Sequence, residues 1–388
     1  MGDDLILLAL FGLLYVSDSY FFLHKHSVAF REGPGGHCQV ILPSSNAGNR
    51  DRALHMLSLL PPLRPVYISS LLPVSLSETG ILSYVSQTLA PIGRPIQPCQ
   101  EIEYGNIRSV GAEGTKVLIN GKPFAHCHVP EQAGLIAGSV GEIVSTAGQG
   151  ASTILNKMIC GVLDVNNANR ILAEFRRNSI PLRIACNTIL VVLFILFPVL
   201  ARWQGLGTSL IVTLVLLGLL LPPLCVTFYS LHKRYSIGSH WDRIGCVVRF
   251  IICPPCAIRA GDLISRSLIT KFHPAAVALA LCRKSDAADF VRKLLRDLRS
   301  PLFQDWNVPP SLSVAEEWRK KMIAAVEQTA LQSGIESLEL LEIPKKSDPS
   351  MVTVCPRCLV QFSALIDSCP DCLGVAPILF PSSQVPNE

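Results

Sequence analysis

Two long apolar segments, separated by only three residues, constrain this chain more than any other feature. Ile184–Ala201 is eighteen residues without a charge, and Gly205–Leu231 is twenty-seven. Only Arg202, Trp203 and Gln204 lie between them. About 20 apolar helical residues cross a hydrocarbon core of about 30 Å. The pair therefore predicts a membrane hairpin over 184–201 and 205–231, with Trp203 at the interface where aromatic side chains concentrate. Composition points the same way. Charged residues make up 16% of the chain, against about 25% in soluble domains. The mean hydropathy is +0.39.

A third apolar segment, residues 5–23, predicts an uncleaved transmembrane anchor. A cleaved signal peptide would want a basic start and a small-x-small cleavage site; Asp3 and Asp4 stand in place of the basic start, and no good cleavage site follows. The fold class expected is thus a membrane protein with about three α-helical spans and cytosolic modules. Basic residues set the orientation. Lys25 and Arg31 follow the first segment, Arg170, Arg176, Arg177 and Arg183 lead into the second, and Lys233, Arg234, Arg243 and Arg249 follow the third. Basic flanks stay on the cytoplasmic side. The expectation is an N-terminus outside and a C-terminus in the cytosol, in a bacterial inner membrane. The fourteen cysteines would then sit in the membrane or in a reducing compartment.

Residues 24–180 read as a small mixed α/β cytosolic domain. Strand-like runs occur at Val40–Leu42, Val66–Ser69 and Ile102–Val110. Asn120-Gly121, between strand formers, predicts a type I′ hairpin turn, in which both central residues need positive φ. A helix is expected from Pro130 toward Val144, and another over Ile154–Phe175. Gly148–Thr153 lacks the lysine of a phosphate-binding loop and reads as a connection between helices. His126, Cys127 and His128 would alternate faces on a strand, so they do not form a ligand set. Asp18 reads as an interfacial, solvated carboxylate.

Residues 232–305 form a basic juxtamembrane helical region, with thirteen Lys/Arg against six Asp/Glu. It contains Cys253-Pro254-Pro255-Cys256. A thioredoxin-like pair would need a βαβ frame, and a membrane segment stands there instead. The favoured reading is an interfacial bend broken by two prolines. After Ser285, Phe290, Val291, Leu294, Leu295 and Leu298 share one helical face, and Arg292, Lys293 and Arg296 the other. That helix either rests on anionic lipid headgroups or packs on its neighbours. His273-Pro274 has no adjacent nucleophile or carboxylate pair and supports no catalytic reading. Residues 306–343 are a helical segment opened by the capping box Ser313-Val314-Ala315-Glu316, and 344–350 a linker.

The strongest chemical signal lies near the C-terminus. Cys355-Pro356-Arg357-Cys358 is followed after ten residues by Cys369-Pro370-Asp371-Cys372. Two such knuckles let four thiolates meet one tetrahedral Zn²⁺. Residues 351–376 resemble the zinc-ribbon or rubredoxin-like knuckle class through these four cysteines alone. The resemblance implies a structural Zn²⁺ held by Cys355, Cys358, Cys369 and Cys372. Iron fits the same ligands. A tail, 377–388, follows.

No complete catalytic constellation is present, so the expected function is a non-enzymatic membrane scaffold or interaction protein with a structural zinc ribbon. The expected partners are the lipid bilayer and a protein, or the ribbon docking on its own chain. Nucleic acid is not expected, because residues 351–388 hold one basic residue, Arg357, against Asp367, Asp371 and Glu388. The alternatives are a membrane-associated redox protein or enzyme using Cys253 and Cys256, or iron in the four-cysteine site; a nucleic-acid-binding ribbon; and a component of a transport complex.

Overall fold

The computed structural model describes residues 2–24, 27–33, 35–41, 52–56, 65–83, 100–146, 148–235, 240–299, 313–336, 346–355, 360–370 and 376–380. Most of these are helical, with several small antiparallel sheets. The chain groups into two compact units, each assembled from separated stretches. One comprises 1–42, 52–70 and 166–271, and the other 43–51, 71–165 and 272–388. Residues 24–180 thus contribute to both.

The first unit is built on a helical hairpin. Helix α5 (Ile180–Val191) runs through a π-helical turn (Val192–Leu196) into α6 (Phe197–Gln204). The Phe197 N–H reaches back to the Val192 carbonyl, five residues earlier. The wide turn sits where Pro198 could not donate to Phe194 and its ring would crowd that carbonyl. Gly205, at φ +82°, ends this helix in a conformation open mainly to glycine. Helix α7 (Leu206–Tyr235) then returns, carrying Pro222 and Pro223 within it. The two helices, 25 and 30 residues long, are long and apolar enough to cross a membrane. Only 33% and 22% of their most apolar windows are buried, whereas the core helix of a soluble protein would be mostly covered.

The first apolar segment departs from expectation. It is not one span over 5–23. Helix α1 (Gly2–Asp18) stops at Asp18, and Tyr20–His24 forms strand β1 instead. The whole helix is 17 residues, about 25 Å at 1.5 Å per residue, short of the roughly 30 Å core. Aromatic and β-branched residues favour strands, and Tyr20-Phe21-Phe22 leave the helix just after Ser17-Asp18-Ser19. The helix packs on the hairpin: Phe11 meets Phe197 at 5.9 Å and Tyr15 meets Phe194 at 5.8 Å between ring centroids. Partner numbers fall as α1 numbers rise, so α1 runs antiparallel to α5–α6.

The rest of this unit is a three-stranded sheet and a helical layer. Strand β2 (Ser27–Glu32) lies between β3 (Cys38–Ile41) and β5 (Val66–Ser70), with Ala29 opposite both Ile41 and Ile68. Strand β1 pairs with β4 (Arg52–Met56). Helix α4 (Val165–Asn178) is tied to the sheet by Arg176, whose Nε lies 3.4 Å from a Glu32 oxygen. After α7 come α8 (His240–Ile252), α9 (Pro254–Ala257) and α10 (Ala260–Ser265). Phe250 of α8 is fully buried against Phe228 of α7. Ser265 donates to the Val66 carbonyl of β5 at 3.0 Å.

The second unit has two antiparallel meanders. One is β6 (Val74–Leu76), β7 (Gly80–Ser83) and β8 (Gln100–Glu103); the other is β9 (Val110–Glu113), β10 (Lys116–Ile119) and β11 (Lys122–His126). Between β8 and β9 a 3₁₀ turn at Tyr104–Asn106 interrupts the continuous strand expected over 102–110. Asn120 and Gly121 have φ of 52° and 75°, as a type I′ turn requires. Asn120 also accepts from the N–H groups of Arg108 and Ser109, which anchors the preceding loop. Helices α2 (Pro130–Ser145) and α3 (Ala151–Val162) pack on these strands; Val117, Ile136, Val140, Ile143 and Leu155 are fully buried. Gly148 and Gly150, both at positive φ, turn the chain between the two helices. The unit also holds α11 (Pro274–Leu281), α12 (Lys284–Arg299) and α13 (Ser313–Gln332), with Trp318 of α13 against the core.

Candidate functional site

Of the four cysteines expected to bind metal, Cys355 and Cys369 are described, and they adjoin a small sheet. Strand β12 (Thr353–Val354) is flanked antiparallel by β13 (Gln361–Phe362) and β14 (Ile378–Leu379). Cys355 directly follows β12, and its N–H donates to the Val360 carbonyl at 2.9 Å. Cys369 lies on the connection from β13 to β14. Cys355 and Cys369 are both fully buried although the segment is small and mostly exposed. Cys358 and Cys372 lie outside the described residues. Among the described residues no group of three or more His, Cys, Asp or Glu side chains could hold a metal.

The described part of this segment exposes apolar side chains. Leu365 is 74% exposed, and Leu379, Ile378 and Val360 are open as well. Phe380 is buried under the Lys346 ammonium, 5.4 Å from its ring centroid.

In the Cys253-Pro254-Pro255-Cys256 segment, Cys253 caps α9, the two prolines fill its first positions and Cys256 lies within it. The Cys256 thiol donates to the Cys253 sulfur at 3.2 Å. Burial pushes the Cys256 thiol up to about 12; its bond to Cys253 and the nearby Asp18 carboxylate add to this, and the Arg249 guanidinium opposes it. Asp18 itself is not a solvated interfacial carboxylate. It forms an ion pair with Arg249, and its side chain is only 14% exposed. No sequence pattern could announce that pair, because the partners lie 231 positions apart.

A second charge cluster lies at α10. Arg259 and Asp262 pair at 3.0 Å with both side chains sealed from solvent. Arg266 and Arg183 also act on Asp262, yet burial dominates and holds its carboxyl above the usual range. The Arg259 guanidinium lies over the Tyr15 ring, 5.2 Å from its centroid. The i,i+3 spacing was the only available signal.

The other singled-out residues have structural roles. Cys127 is buried at the end of β11, where burial pushes its thiol up to about 12. His273 caps α11, its ring Nδ1 accepting from the Ala275 N–H at 3.2 Å. Phe290, Val291, Leu295 and Leu298 of α12 are buried, on the helix that packs with α11 and α13. No protein-family model, no curated protein and no solved structure matches this chain.

Proposed function

We propose that this chain is an integral protein of a bacterial inner membrane that works as a non-enzymatic interaction scaffold, with a structural zinc ribbon as its docking module. The observation that carries this reading is the small sheet at β12–β14. It buries Cys355 and Cys369 while leaving Leu365, Leu379 and Ile378 open. A fold this small cannot build its own core, so a metal would supply its folding free energy. Cys355, Cys358, Cys369 and Cys372 would hold the ion, and a four-thiolate site keeps no open coordination position for catalysis. An apolar patch on such a module marks a contact surface. Its exposure favours a separate protein partner over docking on the same chain.

The hairpin α5–α7 would cross the bilayer, with α1 seated against it. The N-terminus and the Trp203 loop would lie outside, and the C-terminus in the cytosol. Anionic headgroups could meet only the basic side of α12, through Arg292, Lys293 and Arg296, because its apolar side is covered. Crosslinking in cells, followed by detergent extraction, tests the scaffold reading. A stoichiometric protein partner lost in a Leu365→Asp, Leu379→Asp variant is expected. A bound substrate, or an unchanged partner, would overturn it.

A further inference from the structure

We propose that Cys253 and Cys256 form a reversible dithiol–disulfide couple. The sulfurs are already 3.2 Å apart, and a disulfide needs about 2.05 Å. The backbone is set for closure: the Cys256 N–H donates to the Cys253 carbonyl at 2.9 Å, and Pro254 and Pro255 fix φ between the two. Little conformational freedom remains to be lost when the bond forms. The pair is also asymmetric. Cys253 is partly exposed and Cys256 is buried, so an incoming oxidant meets Cys253 first and Cys256 resolves. The couple lies on α9, which packs on both α1 and α5, and the Cys186 thiol donates to the Ala257 carbonyl at 3.2 Å. This inference is independent of the zinc reading.

With a low-molecular-weight disulfide as oxidant, the step balances. The Cys253 sulfur, giving up its proton, attacks one sulfur of glutathione disulfide and releases one glutathione. The Cys256 sulfur, giving up its proton, then attacks the Cys253 sulfur of that mixed disulfide and releases the second. Two electrons pass from the protein thiols to glutathione disulfide, and the two thiol protons end on the two glutathione thiols. The Cys256 thiol resists ionisation, so the resolving step is slow and the couple suits sensing better than turnover.

The full-length protein in detergent supplies the test. It is equilibrated in buffers running from reduced glutathione alone to oxidised glutathione alone, then acid-quenched and alkylated. Cleavage after Arg249 and Arg259 releases Phe250–Arg259, which contains these two cysteines and no others. The expected result is a peptide that loses two hydrogens and both alkylation sites together, and regains them in reduced glutathione. Cys256→Ser should instead trap Cys253 as a glutathione adduct, while Cys253→Ser leaves Cys256 unmodified. Two free thiols in oxidised glutathione alone would overturn the proposal. So would a stable glutathione adduct on wild-type Cys253 without loss of the two hydrogens.

Discussion

Arg259 and Asp262 form an ion pair at 3.0 Å whose side chains are 2% and 1% exposed. Removing one partner of such a pair strands a buried charge, at a cost of about 3–5 kcal/mol. Asp262→Ala is expected to lose that much, because Arg259, Arg183 and Arg266 would then share no facing carboxylate from α10. Arg259→Met with Asp262→Leu should recover most of it, since both charges go together. Thermal unfolding in detergent checks both; an Asp262→Ala variant as stable as wild type would refute the prediction.

The four cysteines predict one equivalent of zinc per chain. Elemental analysis of the purified full-length protein measures it. Cys369→Ser should drop the content below half an equivalent. A red, iron-type absorption spectrum in place of zinc would move the protein toward the electron-transfer alternative, and neither metal would rule out the ribbon.

The antiparallel seating of α1 on α5–α6, through Phe11–Phe197 and Tyr15–Phe194, directs the start of α1 toward the Trp203 loop. The expected topology puts an N-terminal tag and a cysteine placed at Trp203 on one face of the membrane and a C-terminal tag on the other. Membrane-impermeant labelling of intact and opened vesicles reads this directly. Labelling of both tags from the same side would overturn it.

His273 gives the second unit an acid dependence. Burial lowers its ring to about 4 from an ordinary 6.5. Between those values the unfolded chain binds a proton that the folded chain does not. Stability therefore rises with pH across this window and falls as pH drops from about 6.5 to about 4, by up to about 3 kcal/mol. The protection factors of the Ala275–Leu281 amides, each referred to the intrinsic exchange rate at its own pH, should fall over that range in wild type more than in His273→Asn. An equal fall in both would assign the effect elsewhere.

Nucleic acid is expected not to bind. Residues 351–388 carry Arg357 as their one cation, and four thiolates outweigh one Zn²⁺ by two charges. An anisotropy titration of the isolated zinc-loaded ribbon at about 150 mM salt should show no micromolar binding to single- or double-stranded DNA or RNA. Micromolar affinity with steep salt dependence would contradict this.

The features legible in the sequence were those fixed by local chemistry. The uncharged runs at 184–201 and 205–231 announced two long helices, and Asn120-Gly121 announced a turn by its φ requirement. What stayed hidden depended on distant partners. The apolar run at 5–23 looks uniform, yet Tyr20–His24 leaves the helix to pair with Arg52–Met56. Local composition cannot show that pairing. The Asp18–Arg249 pair was hidden for the same reason, and so was the covered face of α12, whose pattern suits a bilayer and a helical neighbour equally.

The wide turn at Val192–Leu196 has a consequence for reading any kindred chain against this one. It holds one residue more than a regular turn, and one residue is worth about 100° of rotation. A kindred sequence with an ordinary helix there would match through Val191 in one phase and from Phe197 onward in another. Its gap belongs inside 192–196. Placed beyond Phe197, that gap would set the sealed Phe197 opposite a residue facing the wrong way; placed before Val191, it would do the same to the residues between it and the turn.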